Sequence, residues 1–498
     1  MAAKIPKQVS LFYFTCIGED IWQCKCTQKR KQIANKGYSN LNSHIAVAHP
    51  NWKDEYGSSQ KLGFSAVVPS QKVSRKGTNI FRWLEWVMME SLPFSFCERE
   101  LVRQNSVLEP ISTDTLVRYV DLTVEKVEGK LAELLPDKFV LIADGWSFNE
   151  VHYFAIFAQF LNAESNEILY PLLAVSPLQD EEDLSAESHY QFIATTLQIY
   201  NKTTSSVIAF VADNENLNGA IAKLMKVPMI GCASHRLNLA VNRYLSSYEP
   251  ILSKIQNLMV KLSSIKRKAK LKKMINVSPI LRNKTRWSST FEMINRYNQI
   301  RPYVPESDLE LMSLVLEDFE EDELKLLTEN LTKINSVTLT LQREHGVTLS
   351  DIRTLFDGLI SKFPDMEHHL STSAKVVQNK DFENGIVKCL EKKHSELTMS
   401  EKVALRKLER DTQIEDVAEE SESFAKDLLL AKKRKTEAEY VSLEFIPGTS
   451  NICERLFSKG KLTLGMLRQN LSPMHLEASL FLRINRKLWD AELISTLV

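Results

Sequence analysis

Cysteine is scarce: seven residues in 498, an odd number and scattered. A disulfide framework is excluded by that usage, and in a reducing compartment metal binding is the expected use of a close pair, which only Cys24 and Cys26 form. Long apolar runs are missing as well. None approaches the roughly 18 residues that cross a bilayer, so a soluble chain with no membrane partner is expected. The opening segment, MAAKIPKQVSLFYF, has no apolar h-region followed by a small-residue cleavage site, which leaves a cytosolic or nuclear address. Internal repeats are absent, and the stretch from Ser234 to about Ala438 is poor in glycine. The length suggests about three domains.

Net charge is also missing, with 63 Lys and Arg against 63 Asp and Glu. A zero balance argues against a phosphate-rich partner, because nucleic-acid binding works by lysines and arginines displacing counterions. The balance conceals segregation. Residues 1–80 hold twelve bases against four acids, and residues 250–303 hold thirteen against one, including Lys266, Arg267, Lys268, Lys270, Lys272 and Lys273. Glu306 to Glu323 then supplies nine acids and no bases. The total cancels while the local fields do not.

Organisation follows from periodicity. Residues 1–56 concentrate aromatics, cysteines and histidines, and residues 57–78, rich in Ser, Lys and Gly, read as a linker. Helical spacing of apolar residues (Phe81, Leu84, Val87, Met88; Leu116, Val120, Leu122) predicts a helical module over 79–135. Short apolar runs at Phe139–Ala143, Tyr153–Phe160 and Ile168–Val175 predict three adjacent strands. A helix near Ala186–Ile199, a strand at Val207–Ala212, a helix over Leu217–Met225 and a strand at Val227–Ile230 complete a mixed α/β sheet within 136–245. Residues 246–440 predict an all-α insertion, in which Lys432–Lys435 reads KKRK and fits a nuclear-import run. Residues 441–498 are amphipathic and return the chain to the sheet.

The head carries W-Q-C-K-C from Trp22 and G-Y-S-N-L-N-S-H-I-A-V-A-H-P from Gly37. Structural zinc takes four Cys or His ligands in a tetrahedron, the histidines three to five residues apart on a helix. Cys24, Cys26, His44 and His49 meet that requirement, and Ser39 or Asn40 is placed to cap the helix. The segment resembles a BED-type zinc finger. It departs from that pattern in spacing its cysteines by one residue, which leaves Cys16 as an alternative ligand. Four protein ligands leave no open position, so the zinc is structural. The His44 helix is expected to approach DNA, with Lys29, Arg30, Lys31 and Lys36 for phosphate contacts.

Two aspartates end strands: Asp144 in L-I-A-D-G-W-S and Asp213 in F-V-A-D-N-E-N. Carboxylates so placed suit Mg²⁺ or Mn²⁺, and two such ions can activate an attacking oxygen and steady a leaving one in phosphodiester chemistry. Bare aspartates at strand ends are common, and their neighbours carry the rest of the argument. G-C-A-S-H-R-L-N-L-A holds Cys232 and His235, R-N-K-T-R-W-S-S-T holds Arg286 and Trp287, T-S-N-I-C-E-R-L-F-S holds Glu454, and R-Q-N-L-S-P starts at Arg468.

In motif type, order and spacing, these segments together with the head resemble the hAT superfamily of DNA transposases. The resemblance implies a ribonuclease-H-like fold with Asp144, Asp213 and Glu454 as its magnesium-binding catalytic triad. It implies DNA contacts from Cys232 and His235, which are not a second zinc site, and from Arg286. Trp287 would stack on a base flipped from the duplex. Leu456, Phe457, Leu462, Leu471, Leu480, Phe481 and Leu482 would lie on dimerisation helices, although packing within one chain gives the same pattern. A Trp-rich stretch before the Glu454 segment, often present in the family, is missing. The expected protein is a nuclear transposase, at least dimeric, that cleaves double-stranded DNA, forms hairpins and transfers strands; the alternative is a domesticated, non-catalytic DNA-binding regulator.

Overall fold

The computed structural model describes residues 9–10, 13–18, 21–31, 39–51, 73–343, 346–409, 440–465 and 471–498. Lys36, Lys432–Lys435 and Arg468 lie outside them, as does the side chain of Cys16. The chain divides into two compact units, Met1–Val73 and Ser74–Val498.

In the first unit β1 (Phe14–Gly18), β2 (Ile21–Cys24) and β3 (Lys29–Lys31) form an antiparallel sheet in that order, followed by α1 (Ser39–Ala48). Val9, Tyr13, Phe14, Cys24, Leu41 and Ile45 make a small core with Trp22 packed against it. Hydrophobic burial on this scale rarely stabilises a fold by itself, and a metal staple is the usual supplement. Asn40 does not cap α1 as the sequence suggests; its Nδ2 donates to the Lys31 carbonyl at 2.7 Å and ties the helix to β3.

The second unit begins with α2 (Arg75–Met89), which starts earlier than the apolar spacing predicts because the Ser74 hydroxyl accepts from the Gly77 N–H at 2.8 Å. After α3 (Thr113–Leu134) come β4 (Phe139–Phe148) and β5 (Val151–Leu161), joined by Asn149 and Glu150, both with positive φ as a tight I′-type hairpin requires. The expected third strand is two short ones, β6 (Ile168–Leu169) and β7 (Leu172–Pro177). Pro171 between them has no N–H to give to the ladder. Next are α4 (Ala186–Ile199), β8 (Val207–Ala212), α5 (Asn216–Met225) and β9 (Met229–Gly231). The sheet runs β6–β5–β4–β8–β9 with β7 also on β5; β8 and β9 are parallel to β4 and the remaining pairings are antiparallel. A mixed α/β sheet is therefore present as expected.

Helices then dominate: α6 (Ala233–Leu245), α7 (Glu249–Leu262), α8 (Ile265–Ile275), α9 (Trp287–Ile300), α10 (Asp318–Leu341), α11 (Leu349–Lys362) and α12 (Lys380–Leu390). Among the described residues of 246–440 the only β pairing is an isolated bridge between Glu409 and Tyr440. The chain closes with α13 (Asn451–Thr463), α14 (Pro473–Ile484) and α15 (Ala491–Thr496).

These closing helices are built into the body. Asn485 brackets Leu172, accepting from its N–H at 3.2 Å and donating to its carbonyl at 2.9 Å. Arg486 pairs with Glu85 and lies 4.6 Å over the Trp489 ring. Residues 79–135 thus share one compact unit with both the sheet and the C-terminus. Leu456, Phe457, Leu480, Phe481 and Leu482 are buried in the chain's own core and Leu471 packs against it, whereas Leu462 is 78% exposed. Each full burial is worth about 1.5–3 kcal/mol, so the pattern is accounted for by packing within the chain.

Candidate nucleic-acid and metal sites

The head gathers its four expected ligands. Cys24 ends β2, Cys26 follows in the turn, His44 lies in α1 and His49 just beyond it. The turn is drawn tight by the Cys24 N–H bonded to the Gln28 carbonyl and by the Thr27 N–H bonded to the Cys24 carbonyl, both at 2.8 Å. Thr27 takes a positive φ of 70° to do so. Cys24 Sγ lies 3.2 Å from His49 Nε2 and Cys26 Sγ lies 3.3 Å from His44 Nε2, and the four ligand atoms all fall within 4.8 Å of one another. Tetrahedral zinc with bonds of about 2.3 Å to sulfur and 2.0 Å to nitrogen sets S···N near ~3.5 Å, so the donor set can hold that ion. Burial, then the nearby Arg30 and His49, lower the His44 pKa and favour the neutral imidazole a metal needs. Lys29, Arg30 and Lys31 stand exposed along β3.

The acid site is built by the sheet. Val140, Leu141 and Ile142 of β4 pair with Ala209, Phe210 and Val211 of β8. Continuing that register past the last pair sets Asp144, which lies within β4 and not at its end as the sequence suggests, level with Asp213, the first residue beyond β8; neighbouring strands run about 4.8 Å apart. Trp146, on the same face of β4 as Asp144, stacks on Phe457 with ring centroids 5.6 Å apart, and Gly460 lets α13 approach until a Cβ there would stand 3.1 Å from the indole. This docking brings in Glu454, in the first turn of α13.

Asp144 has its pKa pushed up to about 7 by burial first, then by the negative charge of Asp213, with Glu454 adding to it. The three acids therefore share one field. Their ligand atoms are not within 4.8 Å of one another, since among the described residues only the cysteine and histidine group meets that limit. Asp213 is also buried, which opposes ionisation, yet the His235 side chain and the Glu215 N–H hold its pKa below the ordinary carboxylate value. His235 Nδ1 lies 3.7 Å from Asp213 Oδ2, and this contact outweighs burial to raise the imidazole pKa. Glu454 Oε2 lies 3.7 Å from the Arg286 guanidinium, 69% exposed.

The remaining expected residues divide. Cys232 is buried, with its N–H on the Ala212 carbonyl at 2.7 Å and its Sγ accepting from the Ser450 N–H at 3.3 Å. It holds the start of α13 rather than facing solvent. Trp287 is only 4% exposed and packs beside Phe291, with its N–H on Asn238 Oδ1 at 3.2 Å. Sequence reading did not single out Asn218, whose Nδ2 donates to Asp213 Oδ1, or Arg236. Arg236 donates to the His369, Leu370 and Ser371 carbonyls and pairs with Glu383 at 3.2 Å. It fixes the helix that carries His235. Its place beside His235 in H-R-L was the one available signal.

Residues 230–338 match the family model of the ZBED1 RNase-like helical domain. This match supports the resemblance to hAT-like transposases and the ZBED family. No curated protein matches the chain. Among solved structures, the Drosophila P element transposase strand transfer complex is similar at 12% identity over 92% of this chain and 100% of that one, with a TM-score of 0.31.

Proposed function

We propose that this hAT-like and ZBED-like chain is a nuclear DNA-binding transposase that cuts and joins phosphodiester bonds with divalent cations. The observation that carries the reading is the register of Asp144 with Asp213, completed by Glu454 from a helix docked on the same strand. The strand order, three antiparallel strands followed by two parallel to the first, is that of a ribonuclease-H-like sheet. Asp144, Asp213 and Glu454 would hold Mg²⁺ or Mn²⁺, and a cation there would offset both the burial and the neighbouring carboxylates that raise the Asp144 pKa. Bound there, the ions would supply charge stabilisation at the attacking and leaving oxygens. His235 orients the Asp213 carboxylate, and Arg286 keeps Glu454 facing the site. The zinc-bound head would dock on duplex DNA through β3 and α1. Exposed Leu462 on α13 is available to a homodimer.

A second reading has its own observation: Asp213 and Glu454 are each already faced by a basic side chain, as suits a non-catalytic regulator that binds DNA without cutting it. The test is binding and cleavage of duplexes taken from the DNA on either side of the gene, with Mg²⁺ or Mn²⁺. Cutting by the unmutated protein that is lost in Asp213→Ala while DNA binding persists supports the enzyme. Binding without any cutting leaves the regulator.

A further inference from the structure

The basic residues of 250–303 separate into two sets. One is spent inside the fold: Lys254 pairs with Glu320 at 2.7 Å, Lys261 with Glu310 at 2.5 Å, Arg267 with Asp308 at 3.1 Å and Glu310 at 2.7 Å, Arg282 with Glu249 at 2.5 Å, and Arg301 with Glu321 at 3.3 Å. Four of the nine acids from Glu306 to Glu323 take part in these contacts: Asp308, Glu310, Glu320 and Glu321. The other set lies on α8, whose sequence IKRKAKLKKMI has no acid. Lys266, Lys268, Lys270, Lys272 and Lys273 are all exposed, and none forms an ion pair with a described residue.

Their placement is regular. At roughly 100° per residue, Lys266, Lys270 and Lys273 form one row turned away from the buried Leu271, and Lys268 and Lys272 form a second row roughly 150° round the helix. Like charges four apart cost a helix about 0.2–0.5 kcal/mol per pair, and no acid on α8 offsets that. The face is held in place by Leu271 in the core and by Arg267 clamped between Asp308 and Glu310. From Asn276, which ends α8 with φ 49°, ten residues lead to Arg286 beside Glu454. Such a segment spans at most ~35 Å, about one turn of duplex.

We propose that the row of Lys266, Lys270 and Lys273 on α8 is a phosphate track, holding double-stranded DNA without reading its sequence, with the Asn276 end of the track within about one helical turn of the acid site. The proposal rests on the DNA-handling function above. Charge complementarity selects the occupant, since a duplex carries one phosphate charge per ~1.7 Å of axis.

The test uses the full chain and fluorescence anisotropy with two unrelated duplexes of about three turns each, over a range of KCl concentrations. The variant is Lys266→Ala/Lys270→Ala/Lys273→Ala, with Lys268→Ala/Lys272→Ala, on the other side of the same helix, as control. Alanine favours the helix, and circular dichroism checks that each variant folds. Expected is a salt slope shallower by up to ~0.9 per lysine removed, equal for both duplexes and absent in the control. If the unmutated protein binds duplex and the triple variant keeps its slope, the track is wrong and the DNA-handling reading stands. If the unmutated protein binds no duplex, that reading fails and the track with it. Unchanged DNA binding with lost nuclear accumulation of a fluorescent fusion would overturn the track in favour of an import receptor.

Discussion

Asp144 within β4 and Asp213 just beyond β8 stand level in the continued register of the two parallel strands, yet their protonation is driven in opposite directions. Asp213 has His235 at 3.7 Å; Asp144 has burial and two carboxylates. The asymmetry makes Asp144 the group most relieved by an added cation.

It also sets a pH dependence. Between the unfolded aspartate value near ~4 and about 7, the folded chain keeps a proton on Asp144 that the unfolded chain has lost. Stability contributed by Asp144 therefore falls as pH rises through that window. Asp144→Asn should be nearly neutral near the bottom of the window and should stabilise above it by up to roughly 4 kcal/mol, at about 1.4 kcal/mol per pKa unit. Urea unfolding at the two ends of the window reads the difference. An equal effect at both ends would refute the assignment.

Arg236 and Glu383 form a buried pair, and burial works against the charge on each. Removing one partner strands the other, so Glu383→Ala should destabilise the larger unit by about 3–5 kcal/mol. Arg236→Met combined with Glu383→Leu should recover much of that loss. A double-mutant cycle by chemical denaturation tests it, and strict additivity of the two single losses would count against the pair.

Zinc removal should act on one unit. Chelation, or Cys26→Ser, is expected to unfold the head, because structural zinc contributes its binding energy, about 10–16 kcal/mol in finger peptides, to folding. Metal content and limited proteolysis should show one zinc per chain and cleavage confined to the first unit. Equal protection of that unit with and without chelator would contradict a structural ion.

Gly231 lies where β9 passes Asn214: a Cβ there would stand 1.8 Å from Asn214 Oδ1. Gly231→Ala must displace the residue next to Asp213, and overpacking of this kind costs about 1–3 kcal/mol. Thermal unfolding gives the cost, and the His235 titration followed by NMR should shift toward the ordinary histidine value. A variant with unchanged melting and titration would show that the neighbourhood yields freely.

Much of this site was legible because its information is local. The apolar run before Asp213 announces a strand end, and the spacing of Cys24, Cys26, His44 and His49 announces a tetrahedral donor set; the run before Asp144 does not, because β4 continues to Phe148 by pairing with β5. What was not legible depends on partners far along the chain. Nothing near Arg236 points to Glu383, and nothing in R-N-K-T-R-W tells that the indole of Trp287 is turned into the core while Arg286 faces out. The break at Pro171 could have been read from its missing N–H. The charge blocks were visible as blocks, but which bases were neutralised waited on the fold.

The helices between β9 and α13 leave and return at one spot. The Ala233 N–H bonds the Gly448 carbonyl at 2.9 Å, and Cys232 Sγ accepts from the Ser450 N–H. Departure and re-entry are thus stitched together, so the excursion between them behaves as a graft on a single loop of the sheet. Apart from α6 with His235 and the segment carrying Arg286, which touch the acids, its length is free to change without moving Glu454 relative to the two aspartates. Closing a longer loop adds only about 0.6 kcal/mol per doubling, and the same acid geometry can therefore be fitted with a larger or smaller helical attachment.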